Sequence, residues 1–203
     1  MFWGWTTLSA DLNQEGADCG PLLKCTTDAL NEVAPWQFLL PTQANLQEHS
    51  NPAESLHTLV LWLLVQFKET GTMTDLDLAI ALGNAALKLR PRGNSSRDAS
   101  LHALSRCLHA RFEKLDIIDD LEEGISLAQA ALALRLPGHP ERATSLRDVA
   151  SDLYTRFQKL GEISNLKRAI TLGRDALDLH PLGHSERPAS LDSLLTYIVA
   201  MFD

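Results

Sequence analysis

The chain has 203 residues and a net charge of −8, and 45% of its residues are hydrophobic, as in an ordinary folded protein. Lysine and arginine form no block, which excludes a basic surface for nucleic acid or anionic membranes. The three cysteines are scattered and odd in number, a usage typical of a reducing compartment. The longest apolar run, residues 59–65, is far shorter than the ~20 residues of a membrane span, and residues 1–16 lack the pattern of a secretory signal. The sequence therefore predicts a soluble, cytoplasmic protein.

Residues 1–52 carry no regular pattern and are predicted to form an irregular N-terminal cap or a degenerate repeat. Within them, residues 21–35 are a candidate short helix bounded by prolines, and the Ala-Leu pair at 29–30 is the same dipeptide as the pair at 86–87. Matching the two pairs would make this segment a degenerate second helix of an earlier repeat. We favour a cap because terminal repeats are usually atypical. The polar run at 41–51 is expected to be a linker.

From residue 53 onward the sequence repeats itself every 45 residues without an insertion or deletion. A Ser-Leu pair marks each unit: Ser55-Leu56, Ser100-Leu101, Ser145-Leu146 and Ser190-Leu191. A phenylalanine stands eleven residues after each of these leucines: Phe67, Phe112, Phe157 and Phe202. Such self-similarity is the signature of stacked repeats. The sequence therefore predicts a repeat domain over residues 53–203, with units at about 55–99, 100–144 and 145–189 and a lone helix at 190–203.

Each unit is predicted to form a helical hairpin. In its first helix, apolar residues recur at i, i+3, i+4, i+7 and i+11, as one stripe: Leu146, Val149, Ala150, Leu153 and Phe157. A break is expected near Gly71, Asp116 and Gly161. The second helix is expected to open with a cap residue, Thr74, Asp119 or Ser164, and to end before Pro91 and Pro181.

Small residues on the second helix are expected to let two helices approach closely, at Ala79/Gly124/Ala169, Gly83/Ala128/Gly173 and Ala86/Ala131/Ala176. The glycines Gly93, Gly138 and Gly183 then allow the backbone to turn into the next unit. Pro140 and Glu141 are expected in the first turn of the following helix, where a fixed φ and a negative charge are favourable.

This pattern resembles the tetratricopeptide repeat (TPR). The positions that carry the resemblance are Leu146, Val149, Ala150 and Leu153 in the first helix and Ala169, Gly173, Ala176 and Pro181 in the second. The resemblance implies an all-α fold, a right-handed α-α superhelix (TPR-like solenoid) of antiparallel hairpins. The unit departs from the family in its length of 45 residues, against about 34, and in Leu136, which replaces a proline.

The long unit, with motifs such as those at 156–161, 175–181 and 182–187, is similar to repeats of fungal proteins in which a caspase-like CHAT protease domain often follows. The resemblance implies an alternative function for the chain, as a truncated regulatory repeat region of a larger CHAT-type protease or signalling protein.

No constellation of residues indicates catalysis, a cofactor or a metal, and the chain is predicted not to be an enzyme. His139 and His184 fall in the inter-repeat turns, where structural capping is the favoured role. Cys107 is expected to be a buried residue of a first helix rather than a nucleophile. Cys19 and Cys25 have no second pair that would complete a zinc site.

The remaining candidate for a functional site is a binding surface. In the resembled family the first helices line a concave groove, and the inward positions carried onto this chain are His57, Leu61, Leu64, His102, Arg106, His109, Arg147, Ser151 and Tyr154. These positions vary between units, which fits a binding face as well as a merely solvated one. The lysine and asparagine clamp with which some relatives hold a C-terminal carboxylate is missing. The leading prediction is a non-catalytic protein-interaction scaffold that binds a peptide or helix in this groove.

The last predicted helix ends with an apolar face, at residues 199–202. Self-association through this face is a further expectation.

Overall fold

The structure is a computed structural model that describes residues 51–202, and this part of the chain contains seven α-helices and no strand. The helices are α1 (Pro52–Thr70), α2 (Met73–Lys88), α3 (Arg97–Leu115), α4 (Ile118–Leu134), α5 (Arg142–Leu160), α6 (Ile163–Asp178) and α7 (Arg187–Val199). The predicted all-α class is confirmed. The predicted cap and linker at the N-terminus lie outside the described residues.

Neighbouring helices pack in succession along the chain. In the second and third units, α3 packs on α4 and α5 on α6, and each pair is joined to the next first helix through α4 and α6. One apolar cluster runs continuously from α3 to α7, with Leu121, Leu153 and Leu166 almost fully buried in it. This is the arrangement of a solenoid, in which every unit completes its core against its neighbours.

The turn inside each hairpin is tight because one residue adopts the left-handed conformation. Gly71 and Gly161 have φ of 71° and 72°, and Asp116 replaces glycine in the second unit with φ of 54°. Aspartate tolerates this region better than most residues. The predicted breaks are confirmed at all three positions.

The predicted caps of the second helices are wrong. These helices begin at Met73, Ile118 and Ile163, so the expected cap residues Thr74, Asp119 and Ser164 lie inside the first turn. A hydrogen bond between residues three apart follows the left-handed residue directly. In the second unit the Asp120 N–H donates to the Ile117 carbonyl at 3.1 Å. The tight turn therefore starts the helix, and no side-chain cap hydrogen bond is present at these three termini.

The turn between hairpins uses a glycine and a side chain that accepts a backbone hydrogen bond. Gly138 has φ of 93°, and His139 Nδ1 accepts a hydrogen bond from the Glu141 N–H at 3.1 Å. His184 repeats this contact with the Glu186 N–H at 3.1 Å. The expected structural role of the turn histidines is confirmed. The third first helix begins at Arg142, so Pro140 and Glu141 precede it and do not lie in its first turn as predicted.

Small residues on the second helices make room for the next hairpin, as predicted. A Cβ at Gly83 of α2 would lie 3.1 Å from Leu104 Cδ1 of α3, and one at Gly173 of α6 would lie 3.4 Å from Leu194 Cδ1 of α7. The contact at Gly83 would be tight and that at Gly173 would be close to ordinary van der Waals contact, so a small residue at this position lets successive hairpins approach closely.

A buried basic residue follows each second helix, and the sequence interpretation missed it. Arg90, Arg135 and His180 are 1%, 3% and 5% exposed. Arg135 Nη1 donates a hydrogen bond to Ser145 Oγ at 2.6 Å, and its Nε donates to Asp98 Oδ2 at 2.8 Å.

The same contact recurs in the other two turns: Arg90 Nη1 donates to Ser100 Oγ at 2.8 Å, and His180 Nδ1 lies 2.8 Å from Ser190 Oγ. The serines of the second, third and fourth Ser-Leu pairs are therefore polar partners that hold this basic group where one hairpin joins the next.

A second column of basic residues also makes contacts where one hairpin joins the next, a place that we call the joint. Arg97, Arg142 and Arg187 donate hydrogen bonds to the main-chain carbonyls of residues 90, 135 and 180. These carbonyls lie just beyond the ends of the second helices, where cations are favourable.

Candidate functional site

The first helices α1, α3 and α5 together line one open groove of about 240 Å³. Its lining residues are Leu64, Lys68, Ser105, Arg106, His109, Ala110, Glu113, Asp148, Ser151 and Asp152. Among the residues predicted to face a groove, the structure brings Leu64, Arg106, His109 and Ser151 together here. First helices of three different repeats thus contribute to one surface, which we call the groove.

Two histidines of α3 contact carboxylates of α5 at the groove. His102 Nε2 lies 2.8 Å from Asp148 Oδ2, and His109 Nδ1 lies 2.8 Å from Asp152 Oδ1. Glu113 adds a weaker contact at 3.5 Å from His109 Nε2. Through these charge contacts the two predicted groove residues hold consecutive repeats together.

The surroundings of His109 favour its protonated form. The contact with Asp152 raises the pKa of His109, burial opposes the shift, and the charge of Glu113 adds to it. Lys68 of α1 lines the same groove. Burial lowers the pKa of His57, which lies near the charges of Arg90 and Glu54. The pKa values of the two histidines are therefore shifted in opposite directions.

We expect the contact between α3 and α5 to weaken as pH rises. The folded-state pKa of His109 lies above its ordinary value, so its contribution is complete below the ordinary value and is lost as pH rises through the raised one. Replacing His109→Gln should remove a pH-dependent stabilisation of about 0.5–1 kcal/mol. Urea denaturation of both proteins at pH 5.5 and pH 8.5 measures it. A difference between variant and wild type that is the same at both pH values would contradict this assignment.

The other predicted positions do not line the groove. Arg147 Nη1 binds Glu186 Oε2 at 2.8 Å, and the ring of Tyr154 lies 5.0 Å from the ring of Tyr197 on α7. His57 is half-buried, and Leu61 is exposed on α1. Contacts with the next repeat account for Arg147 and Tyr154, because consecutive first helices are close enough for long side chains to meet.

The groove offers two cations without a charged partner. Lys68 and Arg106 are exposed, and neither forms an ion pair within the described residues. Each of the groove carboxylates Glu113, Asp148 and Asp152 lies instead against a histidine. Lys68 and Arg106 are therefore the groove cations that remain available to pair with a ligand.

Sequence reasoning missed Lys68, Asp148 and Asp152. The signal for the two aspartates was present, because residues four apart on α5 face one side of the helix and can meet histidines seven apart on α3. Lys68 lies beyond the three inward positions of α1 that the resemblance supplied.

Cys107 lies next to Arg106 in sequence but is fully buried in α3. Burial raises the pKa of its thiol to about 12, so the thiol is neutral and not nucleophilic at neutral pH. Within residues 51–202 no group of three or more histidine, cysteine, aspartate or glutamate side chains is arranged to hold a metal ion.

Comparison with known proteins finds no family model and no curated protein that matches the chain. None of the seven described helices combines the length and apolar character needed to cross a membrane.

Proposed function

We propose that the chain is a non-catalytic protein-interaction scaffold of the TPR-like kind, and that its groove binds an acidic peptide or helix of a partner protein. The observation that carries the proposal is the pair of unopposed cations, Lys68 and Arg106, beside the apolar side chains of Leu64 and Ala110. A carboxylate of the partner would pair with these cations, and an apolar side chain beside that carboxylate would pack on the groove floor.

Contacts within the groove support binding without large rearrangement. The floor is formed by helices, and the contacts of His102 and His109 join α3 to α5 in the absence of a ligand. A pre-organised surface loses little conformational entropy on binding, which favours affinity from a few anchor contacts.

The test uses random peptides displayed on phage and selected against the full chain. Selected peptides should be enriched in aspartate and glutamate, and Lys68→Glu/Arg106→Glu should weaken their binding by about tenfold or more, as measured by fluorescence anisotropy. Lys88→Glu/Arg92→Glu makes the same charge change on exposed residues away from the groove and should leave binding unchanged.

Equal binding by wild type and Lys68→Glu/Arg106→Glu would contradict the groove assignment. Variants of His102 are less informative, because that side chain also joins α3 to α5.

A second candidate function is a regulatory repeat region within a larger CHAT-type protease or signalling protein. The apolar residues exposed on α7 favour it, since a following segment could cover them. Reading the coding sequence downstream of Asp203 tests this candidate, and a stop codon directly after Asp203 would contradict it.

A further inference from the structure

A second surface lies at the far end of the described stack, on α6 and α7. It encloses about 360 Å³ and is lined by Lys167, Ile170, Thr171, Arg174, Ile198, Met201 and Phe202. We call this surface, together with the adjoining Leu195, the C-terminal edge. Leu195 and Phe202 are 60% and 85% exposed, whereas Ala150 and Phe112, at equivalent positions of earlier units, are 0% and 4% exposed.

The repeat itself shows what covers these positions elsewhere. Leu101 and Leu146, which align with Leu191 of α7, are 4% and 3% exposed. Their helices α3 and α5 pack against the second helices α4 and α6 of the same hairpin. Leu191 has no such covering helix among the described residues and is 46% exposed. The C-terminal edge thus presents the surface that a second helix covers in the earlier hairpins.

The charges at the C-terminal edge differ from those of the internal joints. At the first joint, Arg111 of α3 contacts Asp77 of α2 at 3.5 Å and Asp120 of α4 at 2.7 Å. At the second joint, Arg156 Nε lies 2.7 Å from Glu122 Oε1 of α4. Each internal joint therefore pairs an arginine of a first helix with a carboxylate of the preceding second helix.

At the C-terminal edge, neither the arginine nor the carboxylate of this pair is kept. Lys167 occupies the position of Asp77 and Glu122, and Met201 that of Arg111 and Arg156. Arg174 adds a second cation on α6, where α2 has Asn84 and α4 has Gln129. Lys167 and Arg174 are exposed, and neither has an ion-pair partner within residues 51–202. The surface is thus apolar in the middle and basic at its rim.

The first joint shows where a carboxylate of a covering helix would lie. Arg111 reaches Asp77 and Asp120 at once, so these two positions are neighbours. A helix that covered α7 in the register of α4 would place its own residue at the position of Asp120 near Lys167. We propose that the C-terminal edge is a docking surface for an acidic amphipathic helix of a separate protein, which packs leucines on Leu195 and Phe202 and pairs a carboxylate with Lys167.

Charge also distinguishes this occupant from a second copy of the same chain. A two-fold symmetric contact of the C-terminal edge with itself would bring the Lys167 and Arg174 rims of both molecules together. Like charges at such short range are unfavourable. An acidic helix meets the same rim with the opposite charge. The inference is independent of the groove, which lies on α1, α3 and α5.

The probe is a peptide of residues 118–134, acetylated, amidated and fluorescein-labelled, because α4 is an acidic helix that already covers a first helix in this fold. We expect saturable binding to the full chain by fluorescence anisotropy. Lys167→Glu should weaken binding by about tenfold, and Leu195→Asp should abolish it. The peptide with Asp120→Lys should bind Lys167→Glu better than the unchanged peptide does. Lys88→Glu, an exposed change on α2, is the matched control.

No saturable binding, or equal binding by wild type and Lys167→Glu, would overturn the proposal. Weaker binding by Lys68→Glu/Arg106→Glu would move the peptide to the groove and also overturn it, while leaving the groove proposal intact. Sedimentation of the unliganded chain tests whether a second copy of the chain occupies this surface. Concentration-dependent association that Leu195→Asp removes would assign the surface to a second copy instead. Far-UV circular dichroism checks that each variant is folded.

Discussion

Replacing Arg135→Met should destabilise the repeat domain by about 3–5 kcal/mol, because it leaves a buried carboxylate and a buried hydroxyl without their partner. The guanidinium donates to Asp98 and Ser145 and is 3% exposed. Burial opposes ionisation of Asp98, yet the hydrogen bond and charge of Arg135 hold the pKa of that carboxyl below its usual value. Methionine fills much of the same volume but offers neither a charge nor a donor.

Urea denaturation followed by circular dichroism measures the effect. Arg92→Met, an exposed arginine in the neighbouring turn, is the control and should change stability by less than about 0.5 kcal/mol. The double replacement Asp98→Leu/Arg135→Met removes both charges and should recover most of the loss. If Arg135→Met were no more destabilising than Arg92→Met, the buried basic residue would not be what fixes the joint between hairpins.

Replacing Leu153→Ala should cost about 3–4 kcal/mol, because Leu153 is 0% exposed in the cluster that joins α5, α6 and α7. The loss combines the transfer free energy of the deleted methyl groups with the cavity they leave. Leu182→Ala, at a leucine that is 89% exposed, is the control and should be nearly neutral.

Where along the chain Leu153→Ala destabilises the structure is as informative as the size of the destabilisation. A solenoid unit contacts only its neighbours, so Leu153→Ala should speed hydrogen exchange in α5 to α7 more than in α2. Urea midpoints and hydrogen–deuterium exchange of the same samples measure both effects. A uniform increase in exchange along residues 51–202 would show instead that this part of the chain unfolds as one cooperative block.

The repeat period made the fold predictable. Leu101, Leu146 and their apolar neighbours recur at helical spacing, and the left-handed turns fall at Gly71, Asp116 and Gly161 as expected. Helix starts were less accurate, because a turn geometry rather than a cap residue begins the second helices. Local sequence shows which residues could cap a helix but does not show which terminus needs one.

Only part of the polar contacts at the joints could be predicted from the sequence. The column of Ser145 repeats in every unit, but its partner Arg135 aligns with His180 in the next unit and so did not form a constant column. Burial of Arg135 depends on how hairpins stack, which a period does not reveal. The groove was hard to predict for the same reason. Arg106 and Lys68 are left without an ion-pair partner because the histidines contact the nearby carboxylates, and these contacts depend on how the hairpins stack.

Hydrogen–deuterium exchange of the full chain, with and without a selected acidic peptide, tests the groove most directly. We expect protection on peptide binding to be concentrated in α3 and α5 around Arg106 and Ser151, and Lys68→Glu/Arg106→Glu to remove it. Protection confined to α2, α4 and α6, with the first helices unchanged, would contradict the assignment of the groove as the binding surface.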